Sequence, residues 1–287
     1  MKLEILSKTQ KRMSWILDGV DTEFANALRR VILTEVPAFA ISDVIFIDNS
    51  TPLYDEIISH RLGLIPLTTD LDSFVLPERC ECEGVGCRKC QVDFQCSISA
   101  RDGNRNVYSG DLISGDPKIV PVSDVILITK MAKGAKLVFE AYARLGLGRD
   151  HAKYQPVNKI TYKMYPDVII HQDKFKGYAQ KGDNENDPIV KFCPKQILKW
   201  EKGDLVVTDM MKCTLCNACI REPENAPEGA IEIRTIKNKF IFFMESSGCM
   251  PPERILQEAI KIFQEKVGRF GNLVKELIEK QKDAANA

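Results

Sequence analysis

The spacing of apolar residues predicts an amphipathic helix near the start of the chain. Its apolar residues recur at every third or fourth position and are Phe24, Ala27, Leu28, Val31 and Ile32. This spacing places them in one stripe along a helix. Asp21 or Thr22 can cap the first free N–H groups, and Pro37 stops the helix. The stripe alone leaves two interpretations open, a helix packed in its own core and a helix that faces a partner.

A second apolar stripe predicts a long helix at the end of the chain, opened by Pro251 and Pro252. The residues of this stripe are Leu256, Ala259, Phe263, Val267, Phe270, Val274 and Leu277. A seam of this length extends on the order of 40 Å at about 1.5 Å per residue. Because that is long for one small domain to bury, the pattern favours a coiled-coil-like or partner-facing helix over a purely internal one.

Between the two helices, alternating and β-branched runs predict strands. In residues 92–100 the alternation puts Cys96 on the same face as its apolar neighbours, so we expect Cys96 to pack in a core. Gly63 and Pro66 predict a turn, and the polar run 181–188 predicts a linker. The predicted strands are residues 3–6, 13–17, 41–47, 92–100, 125–129, 137–143, 160–164 and 239–245. Helices near both ends and an antiparallel sheet between them indicate an α+β fold.

Length and composition limit the class of protein. A chain of 287 residues, 44% of them hydrophobic, is long enough for two or three domains with their own cores. Lys+Arg and Asp+Glu are equal at 40 each, which argues against a dedicated nucleic-acid-binding protein. No segment approaches the roughly 18 apolar residues that span a bilayer, and the N-terminus lacks a signal sequence. We therefore expect a cytoplasmic protein, in which ten cysteines indicate metal binding rather than disulfides.

Four cysteines fall within one short loop, at Cys80, Cys82, Cys87 and Cys90. Thiolates at this density suit a tetrahedral structural site, and Gly84 and Gly86 allow the tight loop that such a site requires. Zinc is therefore the expected ion of the loop 80–90. The alternative is a reduced loop that binds no metal.

A second cysteine group resembles part of a ferredoxin motif. Cys213, Cys216 and Cys219 form three quarters of the pattern C-x2-C-x2-C-x3-C-P. Cys193 stands before a proline in a related phrase, whereas Ala226 occupies the corresponding position downstream. In two-cluster ferredoxins the cysteine before proline ligates the cluster of the opposite motif, so Cys193 is the expected fourth ligand. The pattern predicts one [4Fe-4S] cluster, with a [3Fe-4S] form and zinc as alternatives.

Three phrases, together with the two cysteine groups, resemble the alpha-like subunits of DNA-directed RNA polymerase. The phrases are DTEFANALRRVILTEVPAFAISDV at residues 21–44, HRLGLIPL at 60–67 and GLGRDHAKYQPV at 146–157. This family includes bacterial alpha and the third-largest subunit of eukaryotic polymerase II, and the chain looks most like its archaeal D-type members. The resemblance covers nearly the whole chain. A zinc loop comparable to residues 80–90 is found in the eukaryotic relatives.

The resemblance implies a discontinuous alpha-like dimerisation domain, residues 1–41 and 238–287. An antiparallel β-rich domain, residues 42–187, and a ferredoxin-like iron-sulfur domain, residues 188–237, would be inserted in it. The implied role is a platform without catalytic residues that forms a heterodimer with the smaller subunit L and scaffolds subunits N and P and the large catalytic subunits. Contact with DNA would be indirect, through the complex. The expected interface residues are Phe24, Leu28, Val31, Leu256, Phe263 and Phe270.

Two other classes of function are the alternatives. A ferredoxin-type electron-transfer protein needs an onward route for electrons, yet the sequence holds neither a complete second cluster motif nor a dinucleotide fingerprint. A nucleotidyltransferase would use Asp70 and Asp72 to bind magnesium, but no phosphate-binding loop accompanies this common pair. The electron-transfer protein is therefore the main alternative to the polymerase subunit.

Overall fold

A computed structural model of the chain describes residues 1–175, 187–221 and 226–286. The predicted linker at 181–188 lies outside these ranges except for its last two residues. The helices are α1 (Thr22–Thr34), α2 (Asp55–Gly63), α3 (Pro188–Phe192), α4 (Ala218–Arg221) and α5 (Pro252–Asn286). The strands are β1 (Lys2–Lys8), β2 (Arg12–Asp18), β3 (Ala38–Asn49), β4 (Gln91–Ser99), β5 (Arg105–Tyr108), β6 (Ile113–Ser114), β7 (Leu127–Met131), β8 (Lys136–Gly146), β9 (Val157–Ile170), β10 (Leu198–Glu201), β11 (Asp204–Val207) and β12 (Ile231–Ser246).

These strands form two larger sheets and two small ones, so the predicted mixture of helices and sheets is confirmed. The larger sheets have the strand orders β1-β2-β12-β9 and β3-β8-β4-β6, and the smaller ones pair β5 with β7 and β10 with β11. The chain is organised into two compact units. The first unit comprises Met1–Ile5, Trp15–Ala25 and the described residues from Tyr162 to Phe242. The second comprises Leu6–Ser14, Asn26–Thr161 and the described residues from Phe243 onward.

The core of the second unit lies on one face of the antiparallel sheet β3-β8-β4-β6. The predicted alternation of β4 is confirmed, since Val92, Phe94, Cys96, Ile98 and Ala100 are all buried. In the register of the sheet, Cys96 lies opposite Phe139 of β8. Cys96 is therefore a core residue, as its position in the pattern predicts.

Helix α2 was missed by the sequence analysis, which predicted only the turn that follows it. The helix ends at Gly63, and Ile58 and Leu62, four positions apart, are both buried in the core of the second unit. Arg61 in its last turn donates from Nη1 to the carbonyl of Ile128 at 2.7 Å. With nine residues, the helix has too few turns for its periodicity to stand out from a short apolar run.

The first unit has a separate core around the hairpin β10-β11. Trp200 packs edge-on against Phe175, with 5.6 Å between ring centroids. Ile197, Leu198 and Leu205 are buried in the same cluster. Short helices, tight turns and this small hairpin make up the cysteine-bearing part of the unit.

The two predicted amphipathic helices differ in how far they are buried. Helix α1 begins with the predicted cap, in which Oδ1 of Asp21 accepts the N–H of Phe24 at 2.8 Å. Helix α5 is buried only in its first turns, for example at Leu256 and Ala259. From residue 264 to residue 281 every position is exposed except Gly271, which is half-buried. None of the helices in the described part of the chain combines the length and apolarity that crossing a bilayer requires.

Gly148 provides a test of the close packing between the chain after β8 and the end of α1. The N–H of Arg149 donates to the carbonyl of Thr34 at 3.1 Å. A Cβ atom at position 148 would overlap the carbonyl oxygen of Leu33. We expect Gly148→Ala to lower the free energy of unfolding by about 1 to 3 kcal/mol, because backbone must move to relieve the overlap.

The measurement is the midpoint of urea unfolding, with Gly103→Ala as the control. A Cβ atom at position 103 would meet nothing within 4 Å. The control should therefore stay within about 0.5 kcal/mol of wild type. Equal midpoints for the two variants would contradict the proposed tight approach.

Two candidate metal centres built from cysteine

The first cysteine group lies in the loop that leads into strand β4. The Sγ atoms are 3.5 Å apart in the pairs Cys80/Cys87 and Cys82/Cys90, and 3.8 Å apart between Cys87 and Cys90. All four sulfur atoms lie within 4.8 Å of one another. A tetrahedral ion with metal-sulfur bonds of about 2.3 Å separates its ligands by about 3.8 Å. The group is therefore shaped to bind one metal ion.

The backbone of this loop turns sharply between the two pairs of cysteines. Gly84 and Gly86 have φ angles of 82° and 111°, in the left-handed region that glycine tolerates. The N–H of Glu83 donates to the carbonyl of Cys80 at 3.0 Å. The glycines predicted to allow a tight loop are thus the residues at which the chain reverses.

The pKa values of two thiols in this group, those of Cys82 and Cys90, are shifted in opposite directions. The backbone N–H of Gly86 donates to the sulfur of Cys82 and lowers the pKa of that thiol to about 6. Burial raises the pKa of the Cys90 thiol to about 12. Without a cation, thiolate and thiol therefore lie side by side at neutral pH. Metal binding would release the remaining protons, since thiolates are the ligating form.

Arg144 holds the loop against the sheet, and no motif in the sequence indicates it. Its Nε donates to Oε1 of Gln91 at 2.9 Å, and its Nη1 donates to the carbonyl of Gly84 at 3.4 Å. Arg144 and Gln91 lie opposite each other in the pairing of β8 with β4. The alternation of β8 indicates that Arg144 faces away from the core, but the partner strand cannot be read from that pattern.

The second cysteine group lines a small cavity of about 20 Å³ in the first unit. The structure brings together all four cysteines that the sequence singled out, Cys193, Cys213, Cys216 and Cys219. Cys193 and Cys213 are buried, Cys219 is half-buried, and Cys216 is exposed. The rest of the wall consists of Val168, Pro194, Lys195, Ile197, Leu198, Thr214 and Ile233.

The backbone around this cavity adopts conformations that are unfavourable for ordinary residues. Leu215 and Asn217, the residues on either side of Cys216, have φ angles of 57° and 60°. Gln196, three residues after Cys193, has a φ angle of 50°. Each left-handed residue other than glycine costs about 1 to 2 kcal/mol, although asparagine tolerates the conformation better. The loops are therefore curved around the cavity at an energetic cost.

The thiols of the second group also differ in protonation. Burial, followed by the charges of the neighbouring cysteines, raises the pKa of Cys219 to about 11. The backbone N–H of Ala218 donates to the sulfur of Cys216 and lowers its pKa. A polycationic iron core would favour the thiolate form at every position, as ligation requires.

Lys163 of strand β9 reaches the cysteine-bearing turn, and no sequence signal had indicated it. Its Nζ donates to the carbonyl of Met211 at 2.5 Å and to the carbonyl of Cys213 at 2.7 Å. Burial lowers the pKa of Lys163, while Cys213 and Asp209 oppose that shift. The lysine and the turn are about 50 residues apart in sequence, so only the fold brings them together.

The two remaining cysteines lie in packed surroundings. Burial raises the pKa of Cys96 to about 12 and the pKa of Cys249 to about 11. The Sγ of Cys249 donates to the carbonyl of Pro156 at 3.5 Å. Both thiols are therefore protonated at neutral pH, which disfavours nucleophilic chemistry.

Asp70 and Asp72, the pair considered for magnesium, form ion pairs within the protein. The Lys118 ammonium, at 2.8 Å, holds the pKa of Asp70 well below its usual range. Oδ1 of Asp72 pairs with Nη2 of Arg254 at 2.6 Å. Each carboxylate thus has its own cation within the protein.

The structure places the expected interface residues in different environments. Leu28, Val31 and Leu256 are buried within this chain, and Phe24 and Phe263 are half-buried. Phe270 is 68% exposed. A groove of about 410 Å³ runs between α1 and α5, and an ion pair of Glu35 with Lys266 bridges the two helices. The groove is lined by Ala27, Arg30, Val31, Thr34, Glu35, Phe263, Lys266, Val267 and Phe270.

Comparison with known proteins defines the class of this chain. Residues 15–267 match the RNA polymerase Rpb3/Rpb11 dimerisation domain. The chain is 38% identical to DNA-directed RNA polymerase subunit Rpo3 of Methanosphaera stadtmanae, over 96% of this chain and 99% of that protein. Proteins of the same name from Archaeoglobus fulgidus and Pyrococcus furiosus are 33% and 38% identical, over 96% and 94% of this chain and 98% and 95% of their own lengths.

The chain therefore belongs to the RNA polymerase Rpb3/Rpb11 dimerisation-domain family. The resemblance predicted from its three phrases and its cysteine groups is confirmed.

Gly86 provides a test of the first cysteine group. A Cβ atom there would lie 2.5 Å from Oε1 of Gln91, and the φ angle of 111° disfavours any other residue. We expect Gly86→Ala to weaken metal binding roughly tenfold, the scale seen when groups that orient ligands are disturbed. The measurement is a titration with Co²⁺, whose thiolate complexes absorb visible light.

The control for this test is Gly134→Ala. Gly134 also has a positive φ angle, 86°, but a Cβ atom there would meet nothing within 4 Å. Both changes therefore introduce a left-handed alanine, and only one of them disturbs the cysteine loop. Unchanged Co²⁺ affinity in Gly86→Ala would show that the loop does not depend on this turn.

Proposed function

We propose that this chain is a non-catalytic assembly subunit of DNA-directed RNA polymerase. It forms a heterodimer with the smaller alpha-like subunit L, and the pair supports subunits N and P and the large catalytic subunits. Membership of the dimerisation-domain family and the near full-length similarity to archaeal Rpo3 proteins support this role. DNA would be contacted only through the assembled complex.

The observation that carries the proposal is the exposed apolar seam of helix α5. Its exposed residues are Val267, Phe270, Leu273, Val274, Leu277 and Ile278. They recur at intervals of three and four residues, which places them along one side of the helix. Burying a large apolar side chain contributes about 1.5 to 3 kcal/mol. A partner that covers this seam would therefore stabilise the complex by removing several apolar side chains from water.

The groove between α1 and α5 extends this seam toward the helix that the sequence pattern singled out. Val31 lies on the α1 side and Phe263, Val267 and Phe270 lie on the α5 side. The two stripes therefore converge on a common surface within the second unit. We infer that subunit L occupies the groove and continues along α5.

We also propose the three-part division that the family resemblance implies. Residues 1–41 and 238–287 would form the dimerisation domain, residues 42–187 the β-rich insert, and residues 188–237 the cluster domain. The separate cores around the sheet β3-β8-β4-β6 and around the hairpin β10-β11 support a division of the inserted part.

For the first cysteine group we propose one zinc ion, bound by Cys80, Cys82, Cys87 and Cys90. The sulfur separations of 3.5 and 3.8 Å support one small tetrahedral ion. In the cytoplasm, the expected location of this protein, thiols are kept reduced and are therefore available to bind a metal ion. The ion would close the loop and would have no redox role, since zinc has a filled d shell.

For the second group we propose one [4Fe-4S] cluster bound by Cys193, Cys213, Cys216 and Cys219, with [3Fe-4S] as the variant form. Among the described residues, the Cys80 group is the one whose possible ligand atoms all lie within 4.8 Å of one another. For the second group, the ferredoxin-like spacing of Cys213, Cys216 and Cys219 and the proline after Cys193 favour an iron-sulfur cluster over one zinc ion.

A second candidate function, electron transfer, has one observation in its favour. Cys216 is exposed, so one edge of the proposed cluster would lie at the surface. Exposure of that kind permits exchange of an electron with another protein. The family membership outweighs it, because the relatives share nearly the full chain and are named as polymerase subunits.

Replacement of Phe270 tests the assembly surface. Phe270→Asp should abolish copurification with subunit L, because a carboxylate would be desolvated in an apolar interface. The isolated chain should keep its stability within about 0.5 kcal/mol, since Phe270 is 68% exposed. Leu28→Asp gives a less direct test, because Leu28 is buried in its own chain.

The matched control is Asn272→Asp, which places the same carboxylate about 200° around the helix at about 3.6 residues per turn. Asn272 is exposed. This variant should copurify with subunit L at wild-type yield. If Phe270→Asp does so too, the α5 seam is not the assembly surface.

The two metal assignments are tested by a reciprocal pair of changes. An anaerobic preparation should contain about four irons and about one zinc per chain. Cys193→Ser should lose iron and keep zinc, whereas Cys90→Ser should lose zinc and keep iron. Metal analysis of both variants is the measurement. Full retention of iron in Cys193→Ser would remove Cys193 from the ligand set.

A further inference from the structure

Lys163 connects strand β9 to the turn that presents Cys213. Both carbonyls that it contacts belong to this turn, Met211 at 2.5 Å and Cys213 at 2.7 Å. The turn Met210–Lys212 ends at Cys213, and Asp209 caps it by accepting the N–H of Met211 at 3.0 Å. The lysine therefore acts at the end of the turn where the first cysteine of the triplet emerges.

The same strand also forms part of the cavity wall. Val168 lines the cavity, and its N–H donates to the sulfur of Met210 at 3.3 Å. Strand β9 thus contacts the turn at two places, through a charged donor at Lys163 and through the backbone at Val168. This arrangement fixes the turn relative to the wall against which a cluster would lie.

The charge of Lys163 is placed close to the cysteine ligands. Its Nζ lies 2.7 Å from the carbonyl oxygen of Cys213, and a second lysine, Lys195, lines the cavity. An iron-sulfur cluster with four thiolates is an anion, and each electron that it accepts adds negative charge. A nearby fixed cation stabilises the reduced form more than the oxidised form.

We propose that Lys163 is a positioning residue for the cluster, which orders the Cys213 turn and raises the reduction potential of the cluster. The inference rests on the proposed cluster and adds a residue outside the cysteine pattern. Its two actions are separable. The hydrogen bonds to Met211 and Cys213 order the turn with or without iron, whereas the charge acts only on a bound cluster.

The test compares Lys163→Met and Lys163→Arg in the full chain, purified anaerobically. The methionine variant removes both donor and charge, and the arginine variant keeps both. Lys159→Met is the control, because Lys159 is an exposed lysine on the same strand. If Lys163→Met does not fold, Lys163→Gln replaces it, since glutamine keeps a donor and removes the charge.

Three readouts separate the actions of Lys163. Release of iron to a chelator should be roughly tenfold faster in Lys163→Met, the scale expected when a ligand loses its supporting group. The midpoint potential, measured as the cluster takes up one electron from dithionite without making or breaking a bond, should become more negative. In iron-free protein, amide hydrogen exchange should increase in residues 210–214. Lys163→Arg and Lys159→Met should stay near wild type in all three.

The outcomes distinguish this inference from the proposed cluster. A wild-type chain that holds no iron would remove the cluster and the charge effect with it, and hydrogen exchange would still decide the ordering role. Iron in wild type with an unchanged midpoint potential in Lys163→Met overturns the charge effect. Unchanged iron release and hydrogen exchange in that variant overturn the positioning role.

Discussion

The repulsion between neighbouring thiolates is the constraint on which both cysteine centres depend. In the loop before β4, sulfur atoms lie 3.5 Å apart, and only a cation between them allows all four to ionise. The pKa values of Cys82 and Cys90 shift in opposite directions, because a backbone N–H stabilises the Cys82 thiolate and burial disfavours the Cys90 thiolate. The glycine turns and the contact with Arg144 bring the sulfurs together despite that repulsion.

The second cysteine group is brought together by different contacts from those of the first. Its loop contains left-handed residues other than glycine, at Leu215 and Asn217, and it is tied to strand β9 by Lys163. The cost of these conformations is met by packing, since Leu215 contacts the core of the first unit. Ligand binding adds its free energy only to the folded form, so a bound cluster would stabilise this part of the chain further. In both cysteine groups, metal binding would therefore be coupled to local order.

Sequence patterns predicted the features that depend on local periodicity. The cap at Asp21, the alternation of β4 around Cys96 and the length of α5 follow from interactions between residues close in sequence. Short elements escaped prediction, since α2 and the hairpin β10-β11 have too few residues to establish a period.

The cysteine groups were predictable because ligand spacing is itself a local pattern. The residues that support them were not. Arg144 reaches Gly84 across 60 positions and Lys163 reaches Cys213 across 50. Such contacts depend on which strands lie side by side, and no short-range pattern specifies that.

Helix α5 extends beyond the part of the chain that matches the dimerisation domain. The match to the dimerisation domain ends at residue 267, whereas exposed apolar residues continue through Phe270, Leu277 and Ile278. In the later part of the seam, the exposure of these side chains and their helical spacing favour a partner. The buried start of α5 belongs to the core of this chain, so one continuous helix serves both an internal core and an external surface. The seam contains no proline but includes Gly268 and Gly271, so the internal core sets the direction of the helix and the glycines are the positions at which it bends most easily.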